Sequence, residues 1–240
     1  MADRTLFISD LDGTLLNSNA EISEYATERL NKLIDAGMNF TFATARKAES
    51  SLAIMKNVNL KLPIILLNGV CIYDPINNNY VQINSINNES LQNIFETQEK
   101  YNLHGIFNSI DENIVHYSIL DKRENLIDFY EELSKDANIN IEFYRHIYDG
   151  ENWFLEIGDK SASKYNAVQF IRKAYDKVIG FGDNLNDIPL FKACDYCCAV
   201  ENANPEVKKF AHEIIESNMN DGVIKWLLLN YGHGFDYLID

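Results

Sequence analysis

The chain has 240 residues, with 21 basic against 36 acidic side chains, a formal net charge of −15 and four cysteines. That length holds one large domain or two modest ones and can bury a substantial core. A balance this acidic argues against nucleic acid or an anionic membrane as partner, since both demand basic surface, and any anionic substrate must be drawn by local cations.

Thr5-Leu6-Phe7-Ile8 is a short β-rich run, and Asp10, Asp12, Gly13 and Thr14 crowd beyond its end. Asp and Gly favour turns. Two acids at the end of a strand of buried type also suit a waiting cation, because charges are kept out of cores unless they are paired or coordinate a metal. Residues 22–36 place Ala26, Leu30, Leu33 and Ile34 on one helical face, with Gly37 where a C-terminal cap belongs. A second strand over 38–43 ends at Thr44-Ala45-Arg46, a helix is expected from Ala48 to Asn57, and a third strand, Pro63 to Leu67, ends at Asn68-Gly69. This alternation predicts a doubly wound, parallel, Rossmann-like α/β sheet.

The rhythm changes between Tyr80 and Gly158. A strand at Val81-Gln82-Ile83, a helix over 89–100, a strand pair at 105–110 and 113–118, a helix over 122–135 and alternating strands at 141–147 and 152–157 follow one another, the last two hinged at Tyr148-Asp149-Gly150. Short turns between neighbouring strands imply antiparallel pairing. Residues 80–158 therefore read as an α+β domain inserted into a core made of 1–79 and 159–240. The doubly wound pattern resumes with a helix over 164–174, a strand over 177–181 closed by Gly182-Asp183-Asn184, and further elements at 197–200, 205–211, 213–215 and 222–229. The four cysteines, Cys71, Cys194, Cys197 and Cys198, form no paired framework. Cys194 and Cys197 have ligand spacing but lack a second pair at a zinc-site distance, so plain buried thiols are expected. No basic leader precedes an apolar stretch at the start and no run approaches transmembrane length, which makes a reducing cytoplasm the expected address.

In open parallel sheets, functional groups gather beyond the carboxyl ends of the strands at a topological switch point. Asp10 and Asp12 follow the first strand, Thr44 the second, Asn68 the third and Asp183 the strand after the insertion, with Asn186 and Asp187 on the turn into the next helix. With those positions in view, Asp10-Leu11-Asp12-Gly13-Thr14-Leu15 resembles motif one of the haloacid dehalogenase superfamily of phosphatases. Thr44 resembles motif two, Lys164 motif three, and Gly182-Asp183-Asn184-Leu185-Asn186-Asp187 motif four. The insertion between motifs two and three is similar to the cap of the Cof-type, sugar-phosphatase-like subfamily, as are Asn68-Gly69, Leu155-Glu156-Ile157, Asn202-Ala203 and Asp221-Gly222-Val223. Ala45 and Glu201 depart from that pattern, each standing where Gly is usual.

The resemblance implies a Mg²⁺-dependent phosphatase of a small phosphorylated metabolite, with a sugar phosphate as the expected class and water as acceptor. It implies Asp10 as the nucleophile that forms an aspartyl-phosphate and Asp12 as the acid–base residue. Mg²⁺ would be held by the Asp10 carboxylate, the Asp12 carbonyl and the Asp183 carboxylate, with Asp187 behind them. Thr44 and Lys164 would grip the phosphoryl group, Asn186 would help position either the metal shell or the phosphate, and for Arg46 a phosphate contact, a cap contact and a plain surface position all stay open. A phosphomutase on the same core and a non-catalytic phosphate-ligand sensor are the alternatives. Phe143, Tyr144, Arg145, His146 and Trp153 lie on the last two inserted strands, where aromatics fit half-buried sheet packing. Arg145 and His146 could also bind a hydroxyl or a second phosphate, whereas His104, His116, His212 and His233 have no ligand-like spacing.

Overall fold

The computed structural model describes residues 4–146 and 150–231, so Tyr148-Asp149 and the tail beyond Tyr231 lie outside the described residues. The chain packs as two units, one built from the stretches up to Val81 and from Lys164 onward, the other from Gln82–Ser163. In the first, β1 (Thr5–Ser9) is buried along its whole length. It leads to α1 (Glu24–Asp35), whose N-terminus is capped by the Ser23 side chain accepting from the Ala26 N–H and whose Ala26, Leu30, Leu33 and Ile34 are buried. Then come β2 (Asn39–Phe42), α2 (Ala48–Ile54), β3 (Ile64–Leu66), β4 (Cys71–Asp74) and β5 (Asn79–Ile83).

The second unit holds α3 (Asn88–Lys100), β6 (Ile106–Ile110), β7 (Asn113–Lys122), α4 (Arg123–Leu133), β8 (Ile139–Arg145) and β9 (Asn152–Asp159). The chain then returns to the first unit through α5 (Lys164–Ile171), β10 (Lys177–Gly182), α6 (Ile188–Ala193), β11 (Tyr196–Val200), α7 (Pro205–Lys208), β12 (Glu213–Ile215) and α8 (Gly222–Tyr231).

The main sheet of the first unit runs β12-β11-β10-β1-β2, parallel throughout. From the centre the chain builds outward through β2 on one side and through β11 and β12 on the other. The order therefore reverses between β1 and β10, the switch point at which α/β sheets open a crevice. The third strand departs from expectation. β3 meets the parallel sheet at the parallel Ala43–Ile65 bridge, where the Thr44 N–H donates to the Ile65 carbonyl at 3.0 Å, and pairs along its length antiparallel with β4, Ile64 opposite Tyr73 and Leu66 opposite Cys71. The reason is local: Leu67, Asn68 and Gly69 all take positive φ and fold the chain straight back. β4 has no counterpart among the expected elements, whereas α6 is the helix expected to follow Asn186 and Asp187, its first turn carrying Pro189.

In the second unit the sheet runs β6-β7-β9-β8, all antiparallel. β7 is longer than its hairpin partner because Tyr117–Lys122 goes on to pair with β9. Ile94 from α3 and Leu126, Phe129 and Leu133 from α4 join Tyr117, Ile119, Leu155 and Ile157 in one core, with Phe143 and Trp153 packed against it. Those two aromatics are sheet packing, as the alternation suggests. Phe129 is fully buried, so Phe129→Ala should destabilise this unit by about 3–5 kcal/mol, a lost transfer term plus a cavity. Ile106→Ala, at a position 64% exposed, should stay within about 0.5 kcal/mol. Urea denaturation followed by circular dichroism checks both.

Candidate active site

Adjacent parallel strands carry the site. Ser9 lies opposite Phe181 in the β1–β10 register, and the Asp10 N–H donates to the Phe181 carbonyl at 2.9 Å. The residues just past both strands, Asp10 and Asp183, are thus brought side by side. Two glycines allow the close approach. Gly13 has φ +81°, and a Cβ there would lie 2.5 Å from Asp183 Oδ2; a Cβ at Gly182 would lie 2.7 Å from the Cβ of Asp187. Thr14 Oγ1 donates to Asp183 Oδ1 at 2.9 Å. On the short turn after β10, Asp187 Oδ2 accepts the N–H groups of Asp183 at 2.9 Å and Asn184 at 3.1 Å.

Lys164, the first residue of α5, is 1% exposed. Its Nζ donates to Asp10 Oδ1 at 2.6 Å and to Asp187 Oδ1 at 2.7 Å. A lysine so buried is tolerable only because it is paired and hydrogen-bonded. Burial alone would lower its pKa, but the charges of Asp10 and Asp187 outweigh that and raise it. The carboxylates fare differently. Burial, then the charge of Asp187, pushes Asp10 up to about 8 against the opposing pull of Lys164. Burial, then Asp187 and Asp10, raises Asp183 as well. One ammonium cannot serve three carboxylates.

The carboxylate oxygens of Asp10, Asp183 and Asp187 lie within 4.8 Å of one another, the one such group of potential metal ligands among the described residues. An all-oxygen donor set with surplus negative charge fits a hard divalent cation. The cysteines form no such group: Cys71, Cys197 and Cys198 are buried free thiols, and burial pushes Cys71 up to about 12.

Thr44 is buried one residue past Ala43, whose N–H donates to the Ser9 carbonyl at 2.9 Å, so it stands beside Asp10. Its Oγ1 accepts from the Arg46 N–H at 3.2 Å. The Arg46 side chain makes a bidentate pair with Asp12, Nε and Nη2 each 2.6 Å from a carboxylate oxygen. Asn186 is buried, and its Nδ2 donates to Asn68 Oδ1 at 3.1 Å. Asn68 is expected at a strand end and within an Asn-Gly pair that resembles the Cof-type subfamily, but neither signal gives it a partner. The sequence gives no sign either of Asn202 Nδ2 donating to the Gly13 carbonyl at 2.8 Å, or of Asn218 Nδ2 donating to the Leu16 carbonyl at 2.7 Å. Glu201 is exposed, its carbonyl accepting from Lys208 Nζ.

The sequence profile described as haloacid dehalogenase-like hydrolase matches residues 7–122 and 107–227. A 5-amino-6-(5-phospho-D-ribitylamino)uracil phosphatase of Bacillus subtilis, YitU, is 24% identical, the match covering 92% of this chain and 96% of the relative. A phosphoglycolate phosphatase of Nitrosopumilus maritimus is 25% identical, over 95% and 96%. Among solved structures, a haloacid dehalogenase-like hydrolase of Bacteroides thetaiotaomicron superposes with a TM-score of 0.81 at 22% identity, covering 95% of this chain and 100% of that one.

The raised carboxyl groups have a consequence that can be measured. Between about pH 4 and pH 8 the folded, cation-free protein holds protons on this cluster that the unfolded chain has released, so its stability should fall as pH rises through that window. A divalent cation bound by these carboxylates would replace those protons. Mg²⁺ should therefore raise the melting temperature more at about pH 8 than at about pH 5.5, and thermal melts at the two pH values test this. An equal shift at both would count against cation binding by these carboxylates.

Proposed function

Since the chain belongs to the haloacid dehalogenase-like hydrolases, and within them to the phosphoric monoester hydrolases, we propose that it is a Mg²⁺-dependent phosphatase working through an aspartyl-phosphate on Asp10. The observation that carries this reading is the buried set of Asp10, Asp183 and Asp187 around Lys164 at the switch point of the sheet. Phosphoryl transfer asks for an in-line nucleophile, a proton donor for the leaving oxygen and cations for the phosphoryl charge. Asp10 and Asp183 would hold Mg²⁺ with their carboxylates and Asp12 with its backbone carbonyl. Asp187 backs them, since Lys164 and two N–H groups already occupy its oxygens. When bound, the cation supplies charge neutralisation and orientation for the phosphoryl group.

A carboxylate oxygen of Asp10 attacks phosphorus, the bond to the alkoxide oxygen breaks, and Asp12 gives that oxygen its proton. Asp12 then takes a proton from water as the water attacks the aspartyl-phosphate, releasing phosphate and restoring Asp10. Lys164 holds Asp10 in place and, with Thr44, Arg46 and Asn186, meets the phosphoryl oxygens. Arg46 also orients the Asp12 carboxylate through their bidentate pair.

The substrate class is a small phosphorylated metabolite, with sugar phosphates first among candidates. Relatives named for a phosphorylated ribityl compound and for phosphoglycolate support this. Residues 80–158 act as the cap that selects among such substrates, leaving the chemistry to the other unit. A panel of phosphorylated sugars, nucleotides and short acids ranked by kcat/KM tests the class. A ranking led by nucleotides would overturn it.

Asp10→Asn keeps the shape of the side chain but lacks the nucleophilic oxygen. It should cut turnover of an activated aryl phosphate by at least about a thousandfold while the circular dichroism spectrum is unchanged. Chelation should abolish wild-type turnover and Mg²⁺ restore it. Full activity in a metal-stripped sample, or substantial activity in a clean Asp10→Asn preparation, would overturn this reading.

A further inference from the structure

Leu67, Asn68 and Gly69 have φ of +49°, +52° and +97° in succession. Glycine takes such values freely, asparagine with some cost, and leucine rarely. Backbone of this kind persists only where its surroundings over-determine it, and it clusters at functional sites. Here the surroundings are the loop that carries Thr44 and Arg46. The Leu67 N–H donates to the Arg46 carbonyl at 3.1 Å, and the Asn68 N–H donates to the Thr44 carbonyl at 2.9 Å.

The strained turn leaves the Asn68 side chain buried, 4% exposed, with its Oδ1 accepting from Asn186 Nδ2 at 3.1 Å. Asn68 thus touches two loops at once: the one after β2 through its backbone, and the one holding Asp183, Asn186 and Asp187 through its side chain. A carboxamide free to rotate would offer its donor to an anion only part of the time. The hydrogen bond to Asn68 removes that freedom before the anion arrives, which is preorganisation.

We propose that Asn68 is a positioning residue for the phosphoryl-binding site, acting through Asn186, and that the strained 67–69 turn is retained to set it there. The proposal rests on the phosphatase reading and on Asn186 as a contact of the phosphoryl group.

The test uses inorganic phosphate as probe, titrated calorimetrically into the full-length, Mg²⁺-loaded protein, alongside turnover of an activated aryl phosphate. Asn68→Gly relieves the left-handed strain but leaves the buried Asn186 Nδ2 without its acceptor, so the melting temperature should change little. Asn68→Ala keeps a Cβ in that conformation but loses the polar side chain that lets asparagine tolerate it, so the melting temperature should fall. Both should weaken phosphate binding by about tenfold and raise KM in step, because both lose the acceptor that orients Asn186. Asn186→Ala should weaken it at least as much, and the Asn68→Gly, Asn186→Ala double variant should be no worse than Asn186→Ala alone.

Wild-type phosphate affinity in Asn68→Gly overturns the proposal, as do losses that follow melting temperature and losses that multiply in the double variant. A wild-type protein that binds phosphate but hydrolyses no phosphomonoester refutes the phosphatase reading, and the binding comparison among variants still decides the role of Asn68. A wild-type protein that binds no phosphate at all overturns both.

Discussion

A single buried ammonium among three buried carboxylates is the constraint around which the first unit is arranged. Lys164 Nζ meets Asp10 and Asp187 directly, and Asp187 spends its other oxygen on the backbone of the turn that carries Asp183. The lysine therefore ties the end of β1 to the turn after β10 through Asp187. Removing either partner of a buried pair leaves an uncompensated charge, which is worse than never having buried the pair. Even intact, the cluster is short of positive charge, and burial raises Asp10 and Asp183 as a result. Such a centre makes little sense as a stabilising device, because apolar side chains of similar volume would serve stability better.

The backbone answers that constraint locally. Parallel pairing of β1 with β10 sets the two chain ends level, and the glycines at 13 and 182 remove the side chains that would hold Asp183 and Asp187 away. Lys164 enters from the first turn of a helix, where its stem is covered and its end points inward. The loops after β2 and β3 are tied together by Asn68, at the cost of left-handed backbone on either side of it. Strain and buried charge thus sit next to each other, both held by the same few loops.

Legibility followed the strength of the local signal. The apolar face of α1 and the uninterrupted burial of β1 come from periodicity and composition, and the structure has both where the residues suggest. Carboxylates at strand ends were visible because acids are improbable there without a partner. Their convergence was not, since which strands are neighbours depends on topology. The return of β3 onto β4 escaped notice because it depends on three positive φ values, which Leu67 does nothing to advertise. The pairing of Arg46 with Asp12 joins residues 34 apart in sequence and leaves no pattern in either stretch. The amide contacts of Asn202, Asn218 and Asn68 reach across the chain to backbone or to another amide, and asparagine is too common in turns to announce any of them.

The charge of the whole molecule and that of the site bear on one another. A chain of net charge −15 repels an anion at long range. At short range Lys164 and Arg46 are already engaged, one with Asp10 and Asp187 and the other with Asp12. A phosphoryl group entering the cation-free protein would have to compete with those ion pairs and face the surplus carboxylate charge as well. With all three carboxylates ionised, Lys164 leaves two negative charges uncancelled, and one divalent cation cancels both. In the proposed reading, Lys164 and Arg46 would then meet the substrate without leaving Asp10 and Asp183 to repel it. In the proposed reading this makes binding ordered in practice, metal before phosphate, from charge balance alone and with no conformational change required.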